Sequence, residues 1–137
     1  MSAWIHKALV IALIAFCFPS MADDKSEIRN VISNQVRALS DDNARAAFNY
    51  ATPSIQARFV SADFFINMVK ASYPALINPQ KFEVRDVETS GRKGVARARV
   101  VTNDGKVFLS IYPMVQQADG EWRIDGCYMQ PMQGQAL

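Results

Sequence analysis

Histidine and cysteine are almost absent from this sequence, and the positions of the few present decide which chemistry is excluded. The 137 residues contain one histidine, His6, and two cysteines, Cys17 and Cys127. His6 and Cys17 lie in a segment with the features of a secretory signal, so the mature chain would keep no histidine and one thiol. Ser-His-Asp triads, Cys-His dyads, histidine metal sites and internal disulfides are then excluded. No phosphate-binding loop or cluster of metal ligands occurs elsewhere, and we predict neither cofactor nor metal.

The chain also lacks an excess of charge of either sign. Fifteen Lys and Arg against 13 Asp and Glu give a net charge of +2, and Lys7 is the only charged residue among the first 22. Loss of that segment leaves +1, which gives no electrostatic reason to bind nucleic acid or a membrane surface. We predict neither partner for the mature protein.

The N-terminus has the layout of a cleaved export signal. Lys7 precedes an apolar run over residues 8–18, Pro19 ends it, and Ser20-Met21-Ala22 follows. The run is shorter than the roughly 20 residues of a membrane-spanning helix. We predict a signal peptide over residues 1–22, cleaved after Ala22, and a periplasmic or secreted protein; an uncleaved anchor is the alternative. Phe16 stands where lipidation of Cys17 requires a small residue.

Helical periodicity dominates the first half of the mature chain, and strand-like runs dominate the second half. Three helices are expected: one along residues 28–39, a short one after Ser40-Asp41-Asp42, and one that starts at Thr52-Pro53 and restarts at Ser61. Four β-rich runs follow, separated by glycine-containing turns: 82–89, 95–102, 107–116 and 121–130. This order predicts an α+β domain over residues 23–131, with three N-terminal helices on one face of a curved antiparallel sheet of about four strands. Residues 132–137 are expected to form a flexible tail.

Two Asp-Gly pairs predict how the strands are paired. If Asp104-Gly105 is a two-residue turn, Ala98 lies opposite Ile111, and the same treatment of Asp119-Gly120 places Ile111 opposite Tyr128. The predicted inner face then carries Ala96, Ala98, Val100, Leu109, Ile111, Val115, Trp122, Ile124 and Tyr128. A β-bulge near Pro113 would exchange the two faces beyond it.

The opposite, outer face is predicted to mix aromatic, Met and Arg side chains, a composition that suits an interface. The interface candidates are Arg97, Arg99, Phe108, Tyr112, Met114, Asp125, Cys127 and Met129. The alternative for the same residues is a half-exposed sheet surface with weak cross-strand ion pairs. Candidates for lining a pocket between helices and sheet are Phe48, Phe64, Met68, Tyr73, Ile111, Trp122, Ile124 and Tyr128; their alternative role is core packing.

Three segments carry a family resemblance: residues 64–69 leading into Tyr73-Pro74, residues 112–115, and residues 119–127. Over roughly residues 28–131 the chain resembles a bacterial family of exported domains of unknown function with the nuclear-transport-factor-like, or cystatin-like, cone fold. The resemblance implies a pocket between sheet and helices, which some relatives use for isomerase or dehydratase chemistry and others to bind small apolar molecules. Catalytic relatives use Asp with Tyr, or His with Asp, inside the pocket. Here the predicted register places Asp125 and Tyr112 outside it.

These observations together favour a non-catalytic, exported binding domain. Its preferred form is a homodimer through the outer sheet face, although another exported protein could occupy that face. Two alternatives stay open. One is a protein that binds a small apolar ligand in the cone, and the other is an isomerase- or dehydratase-like enzyme that uses Asp125 and Tyr112.

Overall fold

A computed structural model describes residues 10–15 and 21–132, with side chains given for all of them except residues 21 and 22. His6, Cys17, most of the predicted signal peptide, and residues 133–137 of the predicted tail lie outside this described part. Met132, the first residue of that tail, donates its backbone N–H to the Val107 carbonyl at 2.9 Å. Within the described residues, no helix has both the length and the apolar character needed to cross a membrane.

Helices form the first half of the domain, as the periodicity predicts. They are α1 (Met21–Ser40), α2 (Ala44–Asn49), α3 (Pro53–Phe59) and α4 (Ala62–Ser72), followed by a 3₁₀ turn at Pro74–Leu76. The third predicted segment is two helices, because Val60 adopts a φ of 68° and Ser61 then caps α4 by accepting the Phe64 N–H at 3.1 Å.

The second half forms a five-stranded antiparallel sheet, and the predicted α+β class is confirmed. The strands are β1 (Lys81–Ser90), β2 (Lys93–Val101), β3 (Val107–Gln116), β4 (Trp122–Ile124) and β5 (Tyr128–Pro131). β1, β2 and β3 are neighbours in that order, while β4 and β5 both pair with the remaining edge of β3. The fourth predicted run is therefore two short strands.

The predicted register of the hairpin between β2 and β3 is wrong by one residue. Val101 pairs with Val107, and the Thr102 N–H donates to the Lys106 carbonyl at 2.9 Å, so the loop has three residues rather than two. Gly105, with a φ of 84°, takes the left-handed position of such a loop. The hairpin between β3 and β4 has the same form, with the Gln117 N–H bonded to the Glu121 carbonyl at 2.8 Å and a φ of 90° at Gly120.

A shift of one residue moves every β3 side chain to the other face of the sheet. Ala98 pairs with Ser110 rather than Ile111, and Ala96 pairs with Tyr112. Tyr112 and Met114, predicted on the outer face, are therefore buried beneath the helices. Conversely, the outer face carries residues predicted to lie inside: Leu109, Ile111 and Val115.

A second irregularity lies between β4 and β5, at the proline that the sequence singles out. Pro113 has no N–H to give to the ladder, and its carbonyl accepts the Asp125 N–H at 2.8 Å. The chain then bulges through Gly126, at a φ of 152°. Beyond this bulge Ile111 does pair with Tyr128, as predicted, but on the outer face. Met129 pairs with Ser110 on the inner face.

The core consists of two groups of buried side chains along α1. Ile28 and Ile32, in the middle of the helix, are completely buried against the sheet with Tyr112 and Trp122. The C-terminal part of α1 packs against α2, α3, α4 and the 3₁₀ turn through Val36, Leu39 and their neighbours. The Trp122 indole N–H donates to the Asp24 carboxylate at 3.1 Å, which joins β4 to the first turn of α1.

Candidate functional site

A cavity of about 220 Å³ lies between the helices and the end of the sheet. Its walls come from α1, α3, α4, the 3₁₀ turn and the bulge that follows β4. Most of the lining is apolar: Leu39, Ala51, Ile55, Phe59, Phe65, Met68, Val69, Leu76 and Ile124. The polar residues in the lining are Gln35, Arg58, Tyr73, Asp125, Cys127 and Tyr128, although the side chain of Tyr128 lies on the outer sheet face and is 64% exposed. The arrangement is that of an apolar pocket with a few placed polar groups.

Two of those polar side chains donate hydrogen bonds to backbone carbonyls. The Gln35 amide donates to the Ala47 carbonyl at 3.2 Å, and the Tyr73 hydroxyl donates to the Cys127 carbonyl at 3.2 Å. Asp125 is different, because only one of its carboxylate oxygens is bonded. Oδ1 accepts the Thr52 hydroxyl at 2.7 Å, whereas Oδ2 has no hydrogen-bond partner among the described residues.

The predicted pocket residues separate into two groups. Four line the cavity: Met68, Tyr73, Ile124 and Tyr128. Phe48 packs in the helical core without lining the cavity, and Phe64 is 62% exposed. Ile111 lies on the outer sheet face, because the register shift moves it there. Trp122 is buried beside α1 and borders a separate, more open groove of about 550 Å³.

A small polar cluster lies inside the sheet, next to the cavity. The Cys127 thiol and the Ser110 hydroxyl are 3.2 Å apart, and Cys127 contacts both groups of core residues. The Tyr112 hydroxyl is buried beside the Ser110 hydroxyl and the Cys127 thiol, and no described residue gives it a hydrogen bond of good geometry. Burial raises the pKa of Tyr112 well above its ordinary value and also raises the pKa of the Cys127 thiol. Both groups are therefore neutral at neutral pH, which suits neither a general base nor a thiolate nucleophile.

The structure does not bring together the acid-aromatic-base cluster predicted from Asp125, Tyr112 and Arg97. Arg97 is on the outer face, where it bonds the Asp86 carboxylate at 2.8 Å and lies 3.8 Å from Glu88. Tyr112 points inward, and Asp125 lies in the bulge bonded to Thr52. Of the other predicted interface residues, Arg99 is on the outer face as expected, but four lie on the inner face with Tyr112: Phe108, Met114, Cys127 and Met129.

The outer face is more apolar than the sequence predicts. All five outward-facing positions of β3 are apolar, and we call them the outer stripe: Val107, Leu109, Ile111, Pro113 and Val115. Charges of both signs surround it, with Arg97 and Arg99 on β2 and Glu83, Asp86 and Glu88 on β1. Sequence reasoning missed the stripe, although the glycine at the third position of each turn was a signal of three-residue loops.

Among the described residues, no group of three or more His, Cys, Asp or Glu side chains is placed to hold a metal ion.

Comparison with known proteins relates the chain to one family and one fold. The family described as a domain of unknown function (DUF4864) matches residues 21–137. No curated protein matches the sequence significantly. A solved NTF2-like protein of unknown function from Shewanella baltica OS155 superposes with a TM-score of 0.61 at 10% identity, covering 84% of this chain and 98% of its own.

Two further solved structures share this architecture. A protein from Shewanella frigidimarina NCIMB 400, provisionally named a ketosteroid isomerase, has a TM-score of 0.51 at 11% identity, covering 74% of this chain and 92% of its own. An NTF2-like protein of unknown function from Burkholderia xenovorans LB400 has a TM-score of 0.51 at 12% identity, covering 82% and 88%. At these identities the similarity establishes the NTF2-like fold alone.

Proposed function

Because the chain belongs to the DUF4864 family of domains of unknown function, its family assigns no activity, and we propose from its geometry that it is a non-catalytic binding domain that forms homodimers through the outer stripe. One observation carries this proposal. All five outward positions of β3 are apolar, although the described part of the chain places helices only over its inward face.

The composition of β3 is what makes its outer face unusual. An antiparallel strand with one face in water normally alternates apolar and polar residues, whereas a strand covered on both faces reads as a continuous apolar run. The inward positions hold Phe108, Ser110, Tyr112, Met114 and Gln116, and the outward positions hold the outer stripe, which is apolar throughout. The stripe residues are half-buried in the single chain, and a second covering layer would remove their remaining apolar surface from water, at a gain of about 25 cal/mol per Å².

The charges around the stripe favour a second copy of this chain as that layer. Arg97 and Asp86 form an ion pair within the face, and Arg99 lies opposite Glu83 in the strand register, while the Glu83 carboxylate is 3.4 Å from the Arg85 guanidinium. In a two-fold symmetric contact, each surface patch meets the same patch of the partner. A patch that carries only one sign of charge would then repel its own copy. This face carries both signs, so it can meet its own copy without an accumulation of like charge.

The placement of the polar groups argues against the enzyme alternative. An isomerase- or dehydratase-like reaction with Asp125 and Tyr112 needs both side chains at one substrate, but Tyr112 is completely buried in the sheet core and does not line the cavity. The ketosteroid isomerase name of one structural neighbour belongs to that protein, and at 11% identity it carries no residue role to this chain.

Export is part of the same proposal. We infer that residues 1–22 are a signal peptide removed after Ala22, and that the mature domain acts in the periplasm or outside the cell. In support, Val10, Ile11, Leu13 and Ile14 lie outside regular structure and are 72–89% exposed. Mass spectrometry of the protein recovered from the periplasmic or culture fraction tests this proposal: a chain that begins at Asp23 supports it, and a chain that keeps residues 1–22 contradicts it.

Sedimentation velocity tests the homodimer. The purified protein should sediment as a dimer at micromolar concentration and dissociate on dilution. A monomer at high micromolar concentration would contradict the proposal.

A further inference from the structure

We propose that the free edge of β1, the side of that strand that faces away from β2, is a surface through which a second copy of this chain can add its own β1, and that Arg29 of α1 keeps this surface closed. The free edge is a different part of the sheet from the outer stripe. The inference therefore does not depend on the proposed homodimer.

β1 is ten residues long and pairs with another strand on one side only. Its neighbour is β2, and no further strand of the described part of the chain lies beyond it. By contrast, β3 is paired on both sides, with β2 on one and with β4 and β5 on the other. An edge strand presents a row of backbone N–H and C=O groups that can serve as a template for a strand of another molecule.

The backbone of Val84 faces this free edge. Its carbonyl accepts a hydrogen bond of 2.6 Å from the Arg29 guanidinium, which places the carbonyl on the side away from β2. In an antiparallel strand the N–H and the C=O of one residue point to the same side, so the Val84 N–H faces the free edge as well. A strand that adds here needs both groups, and Arg29 already holds one of them by a charge-assisted bond.

The charges of β1 favour a second copy of β1 as the strand that would add. Two antiparallel copies centred on Val84 place Glu83 of each copy opposite Arg85 of the other. Both side chains are exposed, and within one chain the carboxylate and the guanidinium lie 3.4 Å apart. Opposite charges that face each other across two strands stabilise the pairing, so this edge is complementary to its own copy.

Arg29 lies at the centre of that pairing. In the two-fold arrangement the Val84 carbonyl of each copy accepts the Val84 N–H of the other. Each contact therefore displaces two guanidinium groups, and a hydrogen bond from a charged donor is stronger than the backbone bond that replaces it. The bulge that follows Val84 acts in the same direction, because it twists the strand away from a flat edge.

Sedimentation velocity tests the inference in the Ile111→Lys chain, in which the outer stripe carries a charge. Addition of Arg29→Met, which keeps a long aliphatic side chain but removes the guanidinium, should raise the association constant by about tenfold or more. Arg37→Met removes the same group from the exposed last turn of α1 and should leave the association constant unchanged. In the chain that keeps Ile111, Arg29→Met should give species larger than those of the wild type. This comparison holds for a monomeric wild type too, so failure of the homodimer does not decide the inference.

Two further variants locate the contact. Val84→Pro removes the outward N–H but no bond to β2, and Arg85→Glu places like charges opposite each other. Each of them, added to Arg29→Met, should abolish the extra association, and either one decides the location if circular dichroism shows that the other does not fold. Arg29→Gln, with a shorter polar side chain, replaces Arg29→Met if that variant does not fold. A folded Arg29 variant that sediments like its parent, or an association that both Val84→Pro and Arg85→Glu leave unchanged, would overturn the proposal.

Discussion

The Thr52 hydroxyl donates a hydrogen bond of 2.7 Å to the carboxylate of Asp125, a residue 73 positions later in the chain. The same hydroxyl accepts the Ile55 N–H at 3.3 Å and so caps α3. The Thr52 N–H donates to the Ile124 carbonyl at 2.9 Å. This one buried residue therefore joins the start of α3 to the end of β4 and orients the carboxylate at the cavity.

Replacement of Thr52 by Val tests the role of the hydroxyl in these hydrogen bonds. The variant keeps the shape of the side chain but loses the helix cap and the bond to Asp125, so the free energy of unfolding should fall by about 1–3 kcal/mol in urea titrations. Thr52→Ser keeps the hydroxyl and should lose less. Equal stability of the Val variant and the wild type would contradict the assigned roles.

Replacement of Tyr112 by Phe should leave the domain as stable as the wild type, or raise the free energy of unfolding by up to about 1 kcal/mol. The hydroxyl is buried without a hydrogen-bond partner among the described residues, and its removal ends a desolvation cost while the ring still packs edge-on against Phe82. Thermal unfolding measures the effect. A loss of more than about 2 kcal/mol would show that the hydroxyl makes a bond that this account lacks.

Alkaline pH should destabilise the domain through Cys127 and Tyr112. Burial raises the pKa of both groups in the folded state, whereas in the unfolded chain they lose their protons near the ordinary values of 9.0 and 10.0. Above about pH 9 the folded state therefore binds more protons than the unfolded state, and its stability falls as pH rises. Below about pH 8 neither group makes the free energy of unfolding depend on pH.

Urea titrations from pH 7 to pH 10.5 measure this decline, and Tyr112→Phe should reduce its steepness above about pH 10. A free energy of unfolding that stays constant across the range, or that rises with pH, would contradict the burial of these groups.

Substitution of Gly126 by Ala should strain the bulge that positions Asp125. Gly126 has a φ of 152°, which side chains with a Cβ rarely adopt, although space is not the limit because the nearest Pro113 atom would lie 3.9 Å from the new carbon. We expect a loss of about 1–3 kcal/mol in the free energy of unfolding. Stability equal to that of the wild type would indicate that the bulge can relax.

The elements of the fold were accessible from local sequence patterns, whereas the faces of the sheet were not. Apolar spacing located α1, and Thr52-Pro53 and Ser61 marked the starts of α3 and α4, because helix caps act through neighbouring residues. The pairing of β2 with β3 depends on one residue of loop length. Asp104-Gly105 fits both a two-residue and a three-residue loop, and the choice moves Tyr112 from one face of the sheet to the other.

The candidate site was predicted in part, for a similar reason. Met68, Tyr73 and Ile124 were identified as pocket residues: the helix pattern predicted the direction of Met68, the inner-face assignment that of Ile124, and Tyr73 was named from its place before Pro74. The contact of Asp125 with Thr52 joins residues 73 positions apart through a bulge, and no local pattern encodes it. The outer sheet face was predicted as the interface, but the register error assigned it Tyr112 and Met114 in place of Leu109 and Ile111.

If a second copy of the chain covers the outer stripe, a single lysine in the stripe should prevent the two copies from associating. Ile111 lies between Arg97 and Tyr128 in the cross-strand row, so Ile111→Lys places an unpaired charge in the middle of the proposed contact. Asn67→Lys, on the exposed surface of α4, is the matched control, and circular dichroism verifies that both variants fold.

Sedimentation velocity of the three proteins at equal micromolar concentration is the decisive measurement. We predict dimers for the wild type and for Asn67→Lys, and a monomer for Ile111→Lys. A wild type that sediments as a monomer at high micromolar concentration, or a folded Ile111→Lys variant that remains dimeric, would contradict the account.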